Sequence, residues 1–226
     1  MLPLMESWKR PNGLGSRSRP PRHPADRVSP VDDGPVLRLA AYGHSYVEGA
    51  AASAASRRFV DIASCELGCT PDNNGVGGSV STDTALMVAA KPPSPADLYI
   101  LMTGLNDARL YGEDTTGLTA YASALTVIFD AFEAANPRSQ VIAVEQPHLR
   151  VYSRHHPYDK GSDALIDAYN QRLREAAARC PSVVLARVDS WGKSAMIAAD
   201  TVHPNDLGHR EIARAVYCAA VVKSLS

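Results

Sequence analysis

The chain has 226 residues, 45% of them apolar and 21% charged, with a net charge of −1, the composition of one ordinary globule large enough for a full core. A charge so near zero supplies no long-range field for nucleic acid or an anionic membrane, and no apolar run approaches the roughly 18 residues of a membrane helix. The expectation is therefore no nucleic-acid partner and no transmembrane segment.

Residues 1–35 differ from the rest, with seven of the sixteen prolines, six Lys or Arg, and few apolar side chains. Such a stretch cannot bury enough surface to offset its ordering entropy, so it reads as a disordered tail or linker, the alternative being an arm that tethers the chain to a partner. Its opening, "MLPLMESWKRPNGLG", lacks the basic start and apolar run of a secretory signal. The expected location is the cytoplasm or a larger assembly.

From residue 36 to 226 the pattern is that of one domain. "VLRLAAYG" reads as a buried strand and "SRRFVDIASCELG" as an amphipathic helix stopped by Gly68. A short strand near "PDNNGVGG" precedes a helix from about Thr82 to Ala90. "ADLYILMTG" is a buried strand, and "LTAYASALTVIFDAFEAANP" a long helix ended by Asn136-Pro137. "QVIAVEQ" is a strand, and "SDALIDAYNQRLREAAARC" a helix with Ser162 as its N-cap. "SVVLARVD" and "LGHREIARAVYCAAVV" supply a last strand and a last helix. Such alternation implies a parallel sheet covered by helices on both faces, with active groups at the carboxyl ends of the strands. The four cysteines are Cys65, Cys69, Cys180 and Cys218. Cys65 and Cys69 are four apart in an expected helix and so on one face. Structural thiols are the favoured reading over a disulfide, and the spacing lacks the tight pairs of a zinc site.

The unusual residues fall at strand ends: "GHSY" after the first strand, "NNGVGGS" after the second, "GLND" after the third, and "DTVHPND" after the last. Each has a use in acyl transfer. The Ser45 hydroxyl is a weak nucleophile until a base takes its proton, His203 can be that base, and Asp200 can hold the imidazole Nδ1 hydrogen. The Ser45 N–H, the Gly78 N–H and the Asn106 side-chain amide can receive an oxyanion. Gly78 suits such a role because a backbone N–H must approach the substrate with no Cβ in the way.

Taken in this order on an alternating α/β pattern, the four segments resemble the conserved blocks of the SGNH hydrolases, the GDSL esterase/lipase family, over residues 36 to about 220. The resemblance implies a three-layer α/β/α sandwich, flavodoxin-like, with a mostly parallel sheet of five strands. It implies Ser45 as nucleophile, Asp200 and His203 as the base pair, and Ser45, Gly78 and Asn106 as oxyanion donors. No metal and no organic cofactor are implied. The family's usual Asp before the serine is replaced here by His44, which bears on substrate preference and on polarity around Ser45. His44 is not read as the base, because adjacent side chains in extended chain diverge.

Other readings fit less well. Val47 stands where the nucleophile elbow G-x-S-x-G needs its second glycine, and "NNGVGGS" lacks the Gly-Lys-Ser/Thr ending of a P-loop. Asp107 reads as an Asx turn capping the next segment, and His209 as structural. The long loop "QPHLRVYSRHHPYDKG" carries Arg150, Arg154, His155 and His156; it is either a substrate or lid loop for an anionic or sugar-bearing group, or a solvated excursion. Adjacent His155 and His156 without helping carboxylates do not make a metal site.

The expected activity is hydrolysis of a carboxylic ester of a small molecule or carbohydrate, with a short acyl group such as acetyl favoured. Two alternatives stay open: an acyltransferase using the same residues, and a binding or structural module of a larger assembly.

Overall fold

The computed structural model describes residues 37–224, without the side chains of residues 222–224. The expected tail at 1–35 lies outside the described residues.

Five strands form one sheet: β1 (Leu37–Gly43), β2 (Cys69–Gly75), β3 (Leu98–Met102), β4 (Gln140–Val144) and β5 (Val183–Ala186), in the order β2-β1-β3-β4-β5. Every pairing is parallel, so the sheet is wholly rather than mostly parallel. β3 is buried at all five positions, as expected of a central strand covered on both faces. β2 is the polar edge strand. It holds Pro71, Asp72 and Asn73, residue types that belong at an edge where one side makes no ladder.

The long helices are α2 (Phe59–Leu67), α3 (Ser81–Ala90), α5 (Thr115–Ala135), α6 (Asp163–Ala177) and α8 (Asp206–Ser224). α3, α5 and α6 pack side by side in one layer, and α2 packs on α8 in the other. Gly68 ends α2 with a left-handed φ of 64°, and the Ser162 hydroxyl accepts the Leu165 N–H at 3.2 Å to cap α6, both as the sequence predicts. Because Gly68 breaks the chain direction, Cys65 lies in α2 and Cys69 opens β2. The two thiols do not share a helix face, and all four cysteines are unpaired.

α5 holds Tyr121, Leu125, Ile128 and Phe132 buried, with Phe132 stacked on Tyr99 of β3 at 4.4 Å between ring centres. Its 21 residues and mean hydropathy of 1.2 make it long and apolar enough to cross a membrane by length and composition. The sequence reading found no stretch of that kind. One face of the helix serves the core here, while the outer face exposes Val127 and carries Asp130 and Glu133.

Three short helices have no counterpart in the sequence reading: α1 (Ser45–Glu48), α4 (Leu105–Tyr111) and α7 (Lys193–Met196). The first two begin at the carboxyl ends of β1 and β3. Between those strands the connections leave in opposite directions, since β1 leads to β2 on one side and β3 to β4 on the other. In open α/β sheets ligands bind in the crevice at such a switch point.

Candidate active site

Gly43, the last residue of β1, has φ 144°, and a Cβ there would meet the Met102 carbonyl oxygen at 2.0 Å. Only glycine lets β1 turn this close to β3. The next residue, His44, caps α1, and Ser45 is its first helical residue. Ser45 is 7% exposed, and its Oγ lies 3.0 Å from His203 Nε2. His203 Nδ1 lies 2.7 Å from Asp200 Oδ2, while Asp200 Oδ1 accepts the Val202 and His203 N–H groups, each at 3.0 Å.

Burial pushes the Asp200 carboxyl up, but these hydrogen bonds from Val202 and His203 outweigh it and hold the group below the usual carboxylate range. The intervening Thr201 has φ 74°, a strained conformation for a β-branched residue, of the kind that collects at functional sites. The turn is tied to α1 by the Tyr46 hydroxyl, which donates to the Val202 carbonyl at 2.5 Å. The arrangement can move a proton from a hydroxyl to an imidazole whose orientation a carboxylate fixes.

Gly78 and Asn106 line the same pocket as Ser45 and His203, a cavity of about 170 Å³. The N–H groups of Ser45 and Gly78 meet no acceptor among the described residues. Asn106 donates one amide hydrogen to the Ser79 carbonyl at 3.0 Å, which leaves the other for the pocket. Gly78 has φ 77°, which an L side chain rarely adopts, and no protein atom lies within 4 Å of a Cβ built there.

Asp107 does not cap the segment that follows it. Its carboxylate accepts the Ser81 N–H at 2.9 Å and the Ser81 hydroxyl at 2.5 Å, closing the start of α3 instead. Burial raises its pKa to about 6 against the pull of these Ser81 bonds. His209 is structural as expected, with Nδ1 accepting the Phe59 N–H and Nε2–H donating to the Ala50 carbonyl.

His44 is fully buried. Its Nδ1 accepts the Tyr46 N–H at 3.3 Å, so the ring hydrogen sits on Nε2 and is donated to Gln146 Oε1 at 2.9 Å. Gln146 is fixed in turn by donating its Nε2–H to the Thr103 carbonyl at 3.1 Å. Burial lowers the His44 pKa to about 4; the Gln146 bond opposes this, and His203 and Arg109 add to it.

The long loop divides. Exposed His155 bonds the Asp200 carbonyl at 2.9 Å and lines the pocket. His156 is 82% exposed at its side chain and pairs with Asp159, and Arg150 and Arg154 are exposed away from the pocket wall. Tyr158, one of the two tyrosines of that loop, donates its hydroxyl to the Gly78 carbonyl at 3.2 Å, and Arg109, which the sequence reading missed, lines the pocket from α4. Arg109 sits three residues after Asn106, one turn along the same helix face, and that spacing was the available signal. A second cleft of about 290 Å³ beside β4 and α6 contains none of the Ser45 group; the Arg174–Glu145 ion pair and the His148–Asp167 hydrogen bond line it. Among the described residues no cluster of three or more His, Cys, Asp or Glu is placed to hold a metal.

A parallel sheet of this order with Ser, His and Asp gathered at its switch point defines the SGNH hydrolase class. The chain belongs to the GDSL-like Lipase/Acylhydrolase family, whose model matches residues 41–211. Among solved structures, it is similar to a protein from Lactobacillus plantarum at 21% identity and TM-score 0.63, covering 81% of this chain and 95% of that one. It is also similar to a carbohydrate esterase family 3 protein from Talaromyces cellulolyticus at 20% identity and TM-score 0.58, covering 84% and 100%. An acetyl-xylooligosaccharide esterase from Geobacillus Stearmophilus matches at 20% identity and TM-score 0.58, covering 81% and 93%. At these identities the likeness is one of fold. A search of curated proteins found no match.

Proposed function

We propose that the protein is a serine esterase that cleaves a short acyl group, acetyl above all, from a carbohydrate or other small alcohol through an acyl-enzyme on Ser45. One observation carries the reading: Ser45 Oγ, His203 and Asp200 are in hydrogen-bond sequence at 3.0 and 2.7 Å on the wall of a pocket. Ser45 Oγ attacks the carbonyl carbon while His203 Nε2 takes its proton. The oxyanion is received by the N–H groups of Ser45 and Gly78 and by the free amide hydrogen of Asn106. Collapse breaks the ester C–O bond, and His203 returns the proton to the departing alcohol. Water, deprotonated by His203, then repeats the attack and releases the acid and Ser45.

The pocket volume of about 170 Å³ is well under the roughly 300 Å³ at which drug-sized ligand sites begin, which supports a short acyl group. The carbohydrate preference draws support from two of the similar structures being carbohydrate and acetyl-xylooligosaccharide esterases.

The test is hydrolysis of p-nitrophenyl acetate and of acetylated xylooligosaccharide by wild type and Ser45→Ala. Turnover that falls to background in the variant, with a fluorophosphonate adduct mapped to Ser45 in the wild type, is the expected result. Turnover that survives Ser45→Ala overturns the reading. Added alcohol that captures the acyl group in preference to water would instead make the enzyme a transferase.

A further inference from the structure

Arg109 is 5% exposed, yet no carboxylate comes within salt-bridge distance of it among the described residues, and its buried Nε meets no acceptor there. A buried charge is costly unless it is paired, and Arg109 keeps its cation in the resting enzyme with little compensation. Burial lowers its pKa; Tyr46, Tyr158 and Tyr152, and least of all Asp159, oppose this without a direct hydrogen bond to the guanidinium. The Tyr158 ring lies under the guanidinium at 5.7 Å, a contact that holds the group without neutralising it. Its one direct polar bond goes from Nη1 to Asn106 Oδ1, at 3.2 Å.

That bond fixes which way the Asn106 amide faces. With Oδ1 occupied by Arg109 and one Nδ2 hydrogen on the Ser79 carbonyl, the second hydrogen has a single direction left, into the pocket that holds Ser45. Drawing electron density toward a cation also makes an amide N–H a stronger donor, and such chains reinforce one another in a low-dielectric site. The negative charge that Arg109 lacks at rest is the one that forms on the substrate oxygen when Ser45 attacks.

Resting on the esterase reading above, we infer that Arg109 is a positioning residue of the oxyanion hole, acting through Asn106 to orient and polarise its amide and serving the transition state rather than substrate binding.

The experiment compares Arg109→Lys, Arg109→Met, Asn106→Ala and the Arg109→Met/Asn106→Ala double variant, each checked for folding by thermal melting. Removing the charge is expected to lower kcat on p-nitrophenyl acetate by roughly ten- to a hundredfold, the worth of a hydrogen bond to a charged group expressed as rate, with KM within about twofold. Arg109→Lys keeps the charge and recovers part of the loss. Because Arg109 acts through Asn106, the double variant should be no slower than Asn106→Ala alone. The rate of fluorophosphonate labelling at Ser45, whose phosphoryl oxygen occupies the same hole, should fall in parallel.

Losses that multiply in the double variant, or kcat unchanged in Arg109→Met, overturn the inference while leaving the esterase reading intact. A KM increase confined to mono-p-nitrophenyl succinate, with kcat held, also overturns it and makes Arg109 an anchor for anionic substrates. If wild type neither turns over ester nor labels at Ser45, the esterase reading falls and the inference with it. If it labels without turnover, the labelling rates decide the inference alone.

Discussion

His44 makes stability depend on pH in a way that can be isolated. In the unfolded chain its imidazole takes up a proton near pH 6.5; in the folded protein it does so only near pH 4. Between those values the unfolded state binds more protons, so stability is lost as pH falls through the window and the loss is complete below the lower value. At a pH of about 4.5 the difference amounts to roughly 2–3 kcal/mol, and at about pH 7.5 to almost nothing. Asp107 works in the opposite sense. Its pKa is raised from 3.8 to about 6, so acidification restores stability there and flattens the wild-type curve. The useful perturbation is therefore His44→Asn, which keeps a cap acceptor for the Tyr46 N–H, removes the titration and leaves Asp107 in both proteins. Urea unfolding of both proteins at about pH 7.5, 6 and 4.5 measures the difference. Losing the Gln146 bond shifts His44→Asn by a constant amount, but the wild type should lose roughly 2–3 kcal/mol relative to it between the first and last pH. A difference that stays flat within about 0.5 kcal/mol would refute the account of His44 as a buried neutral imidazole.

Asp200→Asn should cost kcat at least about tenfold, toward the roughly 10⁴ seen when a serine protease triad loses its carboxylate, with melting temperature little changed; steady-state kinetics decide. Phe132→Ala removes a fully buried ring stacked on Tyr99 and should cost about 3–5 kcal/mol in urea unfolding, while activity below the transition is kept.

The sequence carried the sheet, because β3 is a continuous apolar run and β1 and β4 are apolar after Arg38 and Gln140, and the long helices announce themselves by period. The four- and seven-residue helices α1, α4 and α7 were illegible for the opposite reason: one or two turns leave no periodicity to detect. Polar β2 reads poorly as a strand since its side chains answer to solvent at an edge. Ser45, Asp200 and His203 were legible because their blocks fall at strand ends, and the three-residue spacing of Asp200 and His203 allows a turn to join them. Arg109 and Tyr158 belong to no block. Their place at the pocket depends on how α4 and the 147–161 loop fold over one another, and one-dimensional spacing does not encode that. Asp107 was assigned to the wrong helix because its partner, Ser81, is 26 residues earlier.

The Tyr46–Val202 bond has a consequence for how the protein would fail under heat. Ser45 and Asn106 hang from adjacent strands and move with the sheet, whereas Asp200 and His203 ride on a connection after β5. That connection is tied to the rest of the fold by the Tyr46 hydroxyl, the His155 ring, the Trp191 Nε1–H on the His148 carbonyl and the Lys193–Asp163 pair, with Ile197 and Val202 buried. Beyond its one-turn helix α7 and one internal bridge between Ile197 and Pro204 it has no regular structure, and such a segment is expected to open at lower free energy than the sheet. Loss of catalysis would then precede melting of the sheet and be reversed on cooling, so that the enzyme's working temperature limit is set by one turn of chain and not by its core.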